Sequence, residues 1–388
     1  MRSQGISRPA TNYRQPVARG GVFVGLSGGV DSSVSAALLK KQGYDVTGVF
    51  IKIWSPDWLW CASKEGRLDA MRVCAKLDIP FREIDLTKEY KKEVVDYMIR
   101  EYKVGRTPNP DVFCNRYIKF GAFFDWARKH GADYIATGHY ARRVECSKQQ
   151  VVRTKNGREN IIPATYYSLH TANDKNKDQT YFLWTLTQRE LSQTLFPIGH
   201  LTKPEVRKIA KKLGLPTAEK KDSQGLCFVG PVDVKEFLRQ YIAPKRGNVL
   251  NIKGEIIGWH DGAELLTLGE RRGFSINQKT PDGLPYYVVA KDIKKNTITV
   301  SQPPNLGVQL PSERILSKVN WIAGAPPNFN KTYFARFRYR QPLVKIGIGY
   351  KKSPLIIQFS KPQTAIAPGQ SLVIYTKTGE CLGGGIIE

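Results

Sequence analysis

The amino-acid sequence predicts an α/β fold: a parallel doubly wound sheet first, a small β-rich central domain next and a C-terminal β-barrel last. Three observations carry this. Up to Gly138, short apolar runs alternate with segments of helical periodicity. From Asn248 onward, short alternating strands are split by Gly, Pro and Asn turns. A length of 388 residues also exceeds what one ordinary core organises. We therefore expect a basic extension over 1–20, a catalytic domain over 21–227, a central domain over 228–305 and a barrel over 306–388.

Val22 to Leu26 reads as a buried strand running into the glycine turn Ser27-Gly28-Gly29. Asp31 to Lys41 has apolar residues at helical spacing and stops at Gly43. A strand over Asp45 to Ile53, a helix over Gly66 to Leu77 and a strand over Phe81 to Ile84 complete a βαβαβ alternation. Helices follow over Glu89 to Tyr102 and Ile118 to His130, then a strand over Asp133 to Thr137. Pro204 to Lys212 is a helix with proline at its start and Gly214 just past its end. Glycines at 247, 254, 258, 262, 269 and 273 punctuate the central strands, and the next boundary falls near Gln302 to Gly307.

Lys and Arg total 60 against 34 Asp and Glu, a formal charge of +26. Such an excess repels itself in the folded state and points to a nucleic-acid partner. An anionic membrane or a small anionic substrate does not need charge on this scale; compositional bias is the competing source. No acidic residue occurs from Arg314 to Gly379, the footprint of a polyanion-binding surface. The six cysteines form no CxxC pair, which argues against a secreted disulfide framework, a zinc ribbon and any metal site of that kind. No stretch is long and apolar enough to span a bilayer, and the polar, Arg-rich first 20 residues lack the apolar core of a secretory signal. A cytoplasmic location is expected.

The string Gly25-Leu26-Ser27-Gly28-Gly29-Val30-Asp31-Ser32-Ser33 lies where the first strand meets the first helix. Glycines let backbone approach a phosphate, and a helix N-terminus points N–H groups and the positive end of its dipole at the anion. Asp31 is expected to hold Mg2+ or to cap the helix. Neither a Walker A loop nor a GxGxxG fingerprint is present. The string SGGVDSS resembles the pyrophosphatase loop of the adenine nucleotide α-hydrolase-like superfamily, whose members cleave ATP between the α and β phosphates.

Further strings, in order, resemble the tRNA 2-thiouridylase family and span nearly the whole chain from Val22. They are GRTPNPDVFCN (Gly105 to Asn115), ATGHYA (Ala136 to Ala141), KDQTYFL (Lys177 to Leu183), FPIG (Phe196 to Gly199), KPEVR (Lys203 to Arg207) and DSQGLCF (Asp222 to Phe228). The resemblance implies an ATP-dependent enzyme that replaces the 2-oxygen of the tRNA wobble uridine with sulfur. Such a reaction adenylates the oxygen to make it a leaving group. It then needs a sulfur donor such as a cysteine persulfide and a second thiol to release the product.

By resemblance Cys114 is the resolving nucleophile, Cys227 carries the persulfide, and Asp111 is the acid–base or polarising group. Asn109, Pro110 and Asp111 hold the target base. ATP is contacted by Gly25, Leu26, Ser27, Gly28, Gly29, Val30, Asp31, Ser32, Ile51 and Gly138, and tRNA by His139, Lys177, Asp178, Gln179, Arg338, Tyr339 and Gln370. The implied partners are tRNAs for lysine, glutamate and glutamine and a sulfur carrier or cysteine desulfurase that delivers the persulfide. An iron–sulfur cluster on Asp111, Cys114 and Cys227 is the alternative to a persulfide relay. Cys61, Cys74, Cys146 and Cys381 read as small hydrophobes.

Alternation along Arg336-Phe337-Arg338-Tyr339-Arg340 predicts a strand with three arginines on one face. Glu270 stands where the family usually has Gln, Leu266 where it usually has Tyr, and three tryptophans crowd Trp54 to Trp60.

Overall fold

The computed structural model describes residues 19–56, 62–153, 159–222, 233–277, 283–303, 312–350, 354–364 and 366–388. Cys61 and Cys227, together with most of the DSQGLCF string, lie outside them.

The first layer is a parallel sheet. Strands β1 (Gly21–Leu26), β2 (Asp45–Lys52), β3 (Phe81–Asp85) and β4 (Tyr134–Ala136) are followed by a hairpin, β5 (Ala141–Arg153) and β6 (Glu159–Thr171), and by the short β7 (Thr194–Leu195). Their order in the sheet is β3-β2-β1-β4-β7, every pairing parallel. Both faces are covered, so Val22, Val24, Leu26, Val46 and Val49 are all buried. Helix α1 (Val30–Lys41) follows β1 and ends at Gly43, whose φ of +86° suits glycine. Helix α2 (Ala62–Leu77) lies between β2 and β3. A helical run over 87–103 follows β3, and another over 110–129 precedes β4.

The second run begins about one turn before Cys114, earlier than the apolar spacing indicated. Its hydrogen bonding widens to i→i+5 over Cys114–Ala122. Within that wide turn Gly121 lets the Arg116 carbonyl approach to 2.8 Å of where a Cβ would stand. Proline at N1 and Asn109 at the N-cap hide this start from a search for amphipathic spacing.

The central layer holds β8 (Gly247–Leu250), β9 (Ile256–His260), β10 (Phe274–Ile276), β11 (Tyr287–Asp292) and β12 (Thr297–Ser301), ordered β10-β9-β8-β12-β11 around Val249, Val288, Ile298 and Val300. The last layer holds β13 (Glu313–Trp321), β14 (Tyr333–Arg336), β15 (Val344–Tyr350), β16 (Leu355–Phe359), β17 (Ser371–Tyr375) and β18 (Glu380–Ile387). Their order is β13-β16-β15-β14-β17-β18, and β13 pairs with β18 to close a six-stranded barrel. The hairpin β5–β6, unforeseen in the sequence, pairs onto β18 and so extends the barrel's sheet from within the first domain. No helix among the described residues is long and apolar enough to cross a membrane.

The expected arginine face is overturned. Strand β14 ends at Arg336, and the chain turns over 337–340, with Gln341 N donating to Arg338 O and Arg340 at φ +63°. Arg336 points inward and pairs with Asp178 at 2.6 Å, while Arg340 reaches the Asn176 carbonyl. The Asp178 carboxylate is fully buried and Arg336 only 11% exposed. Breaking a buried pair strands a charge. Arg336→Ala should therefore cost about 3–5 kcal/mol in denaturant unfolding, and pairing it with Asp178→Asn should recover much of the loss. A near-neutral single variant would show that the pair does not tie the barrel to the first domain.

Candidate active site at the sheet switch point

The strand order reverses between β1 and β4, and in such sheets ligands bind outside the carboxyl ends of the strands at that reversal. Gly25, Leu26, Ser27, Gly28, Gly29 and Val30 form the turn from β1 into α1. Gly28 has φ +72° and lies against the backbone of Gly66, so no side chain fits there. The N-cap is Gly29, which makes no side-chain cap bond, so the capping role considered for Asp31 is not what the structure shows. The Ser32 hydroxyl folds the turn on itself: it accepts from Ser27 N at 3.3 Å and donates to Gly29 O at 3.1 Å. Gly138, just past β4, packs so tightly on α1 that a Cβ would stand 2.6 Å from Ser32 N. Ile51, near the end of β2, lies beside Gly25. The residues expected around ATP are thus gathered at one sheet edge.

Asp31 belongs to a half-buried ionic cluster. Lys203 Nζ donates to both its oxygens at 2.8 Å, and the Tyr140 hydroxyl donates at 2.8 Å. Burial first, then the Asp31 charge, raises the Tyr140 phenol far above its usual value and keeps it a donor. Lys203 also meets Asp222 at 2.9 Å, and Asp222 in turn pairs with Lys177 at 2.6 Å and Arg207 at 2.8 Å. Burial pushes the Asp222 carboxyl up, but hydrogen bonds from Lys177 and Lys203 outweigh it and hold it at about 2. The Gln179 amide oxygen accepts from Tyr140 N at 2.9 Å. Of the three residues expected to touch tRNA in this stretch, Lys177 is engaged with Asp222, Asp178 is buried against Arg336, and Gln179 supports Tyr140.

The loop 105–109 is held by all three layers. Gly105 packs on Ile293, and the Thr107 hydroxyl lies 3.2 Å from that of Thr267. Thr107 N donates to Pro368 O at 2.8 Å, and Gln370 Nε2 donates to the Thr107 carbonyl at 2.8 Å. Arg106 bridges Glu101 and Glu388. From this anchored loop Asn109 caps the helix, Pro110 opens it, and Asp111 and Cys114 follow one turn apart on the same side. Cys114 is fully buried. Arg338 lies near Tyr181, whose hydroxyl donates to the Ser371 carbonyl at 3.0 Å, and the Tyr339 ring lies tilted against Phe182, centroids 4.6 Å apart. A cavity of about 470 Å³ opens next to the loop, lined in part by Tyr102, Lys235, Glu270, Arg338 and Gln370. Glu270, the departure from the family's Gln, pairs there with Lys235.

His139 packs against the rings of Phe120 and Phe196, its Nδ1 bonded to Thr137 Oγ1 at 2.8 Å. Burial, seconded by Lys119, holds its pKa well below the usual histidine value. Burial raises the Cys74 thiol to about 11 and raises that of Cys381 as well, so both remain unreactive. Sequence reasoning missed Tyr140, Lys203 and Arg207 as members of the site. The strings ATGHYA and KPEVR were the available signal, since both contain a residue that meets Asp31 or Asp222.

Family models match the chain in three blocks: a tRNA methyl transferase HUP domain over residues 20–231, a tRNA methyl transferase PRC-barrel domain over 235–302 and an aminomethyltransferase beta-barrel domain over 312–387. The tRNA-specific 2-thiouridylase MnmA of Streptococcus thermophilus is 45% identical over 95% of this chain and 95% of its own. That of Streptococcus sanguinis is 44% identical over the same shares. Among solved structures, the U34-tRNA thiolase NcsA from Methanococcus maripaludis with its [4Fe-4S] cluster shares 17% identity over 58% of this chain and 67% of that chain. Its TM-score of 0.34 is too low to build on.

The buried, neutral His139 yields a direct check. Because its pKa is depressed, the ring should stay unprotonated as pH falls through about 6.5, where an ordinary histidine gains its proton. Imidazole NMR signals that titrate near that value would show that the ring is open to solvent.

Proposed function

The chain belongs to the tRNA-specific 2-thiouridylase family, and from that premise we propose that it is a tRNA sulfurtransferase that uses ATP to thiolate the 2-position of the wobble uridine. The observation that carries this reading is the convergence of SGGVDSS, Gly138 and the Asp31 cluster at the sheet switch point, with Cys114 in a helix that starts from a loop clamped by all three layers. Methyl transfer, the wording of two matched models, would leave both the loop and the two cysteine strings without a task.

In this reading ATP lies along the turn from Gly25 to Ser32, with phosphate at the uncapped N-terminus of α1. The uridine 2-oxygen bonds to the α-phosphorus as pyrophosphate leaves, and Asn109, Pro110 and Asp111 hold the base. The terminal sulfur of a Cys227 persulfide attacks C2, and AMP departs. The Cys114 thiolate then attacks the Cys227 sulfur, which releases the thiolated base and leaves a Cys114–Cys227 disulfide for an external thiol to reduce. Mg2+, which favours one or two carboxylates plus substrate phosphates, fits Asp31 and would supply charge neutralisation there. Asp111 and Cys114 share a helix side and fit an iron–sulfur cluster as they fit a relay; iron analysis after anaerobic purification separates the two. The tRNA acceptors for lysine, glutamate and glutamine and a persulfide-delivering carrier belong to the same proposal, as does a cytoplasmic location.

Cys114→Ser and Cys227→Ser should each abolish 2-thiouridine while tRNA binding survives, and the nucleotide products should be AMP and pyrophosphate. Full thiolation by either variant would refute the assignment. Affinity for tRNA should fall steeply with salt as phosphate contacts release counterions. Arg338→Ala, at an exposed position beside the loop, should lower that slope by about one unit; an unchanged slope would move the docking surface elsewhere.

A further inference from the structure

Asn115 follows Cys114 on the helical run that starts at Pro110, one turn after Asp111 and on the same side. It is 2% exposed, and the two ends of its amide are treated unequally. Nδ2 donates to the Phe182 carbonyl at 3.0 Å. Oδ1 is buried and has no hydrogen-bond partner among the described residues. Chemistry forces this assignment of the two atoms: the reversed amide would set its oxygen against the Phe182 oxygen. A buried acceptor without a donor is costly, so its place in the molecule needs a reason.

The neighbours indicate which donor is missing. Phe182, whose carbonyl holds the amide, packs its ring against Tyr339, and Tyr181 lies near Arg338. About one turn further along the helix, the charge of Lys119 bears on His139, whose ring packs against Phe120. Asn115 thus stands between two residues expected to touch tRNA and the histidine expected beside the uridine. It also adjoins Asp111 and Cys114, which that reading places at the base. The base edge of uracil has one strong donor, N3–H, flanked by two carbonyl groups, and proteins read unstacked RNA bases by hydrogen bonds to this edge. Cytosine has a bare acceptor at N3.

We infer that Asn115 is a specificity-determining residue whose Oδ1 accepts a hydrogen bond from N3–H of the target uracil. The bond from Nδ2 to Phe182 is what makes the choice selective, since the amide cannot turn over and offer its N–H groups to cytosine. Cytosine at this place would set one lone pair against another and leave both buried acceptors unpaired. A site built to hydrogen-bond one group rejects an analogue that lacks it. The inference deepens the uridine-thiolation reading above and rests on it.

The test compares two tRNA transcripts that differ only in uridine or cytidine at the wobble position. For the parent, Asn115→Ala and Asn115→Asp, kcat/KM of tRNA-dependent pyrophosphate release is measured with each transcript, alongside thermal unfolding. The quantity read is the uridine-to-cytidine ratio, in which any loss of folded enzyme cancels. The parent should favour uridine strongly. Asn115→Ala should lower the ratio about 5–150-fold, the range that one buried unpaired group commands. Asn115→Asp keeps an acceptor at that place and should keep most of the ratio, even where weakened bonding to Phe182 makes it unfold earlier. An Asn115→Ala ratio equal to the parent's would overturn the inference, and so would an Asn115→Asp ratio that falls as far as that of Asn115→Ala. If the parent still makes 2-thiouridine in either case, the thiolation reading stands. A parent that forms no 2-thiouridine would overturn both.

Discussion

Much of the molecule depends on the attachment of one short loop. Residues 105–109 touch the central sheet through Ile293 and Thr267 and the barrel through Pro368, Gln370 and Glu388. The helix carrying Asp111 and Cys114 begins where this loop ends. A loop that sets the start of a helix must itself be fixed, and here one backbone hydrogen bond, from Thr107 to Pro368, is backed by side-chain contacts from Thr267, Gln370 and Arg106. The two β-rich layers thereby fix the start of the helix that carries Asp111 and Cys114.

A second anchor is the ionic cluster at the start of α1. The cluster of Asp31, Lys203, Asp222, Lys177 and Arg207 joins four of the strings that mark the family. Partly buried charges are tolerated when each has partners, and every member here has at least one within 3 Å. Lys220 extends the anchoring by pairing with Asp69 on α2. The chain is thus tied down up to Asp222, five positions before Cys227.

The parallel sheet was legible because apolar runs such as Val22 to Leu26 and Asp45 to Ile53 are buried on both faces and read as strands. The nucleotide turn was legible because phosphate chemistry constrains residue type at each step. The Arg336 to Arg340 face was misread because alternation assumes a continuing strand, and nothing local announces that Arg336 ends it to reach Asp178, 158 positions away. The hairpin β5–β6 was missed for a related reason: its pairing to β18 is a long-range event. Lys203 was quoted within a string but given no role, since its partners lie 172 positions back and 19 ahead.

Arg106 and its partner Glu388 are 282 positions apart, and β6 finds β18 across a shorter but still long stretch, His170 pairing with Glu380. During synthesis the first domain emerges with a strand edge open and its key loop untethered, and both wait for the last strand of the barrel. Exposed edges and late long-range pairings slow folding and invite aggregation. A ribosome-bound chain that already contains the turn after β1 and Cys114 therefore still lacks these attachments until the segment near residue 380 has been made.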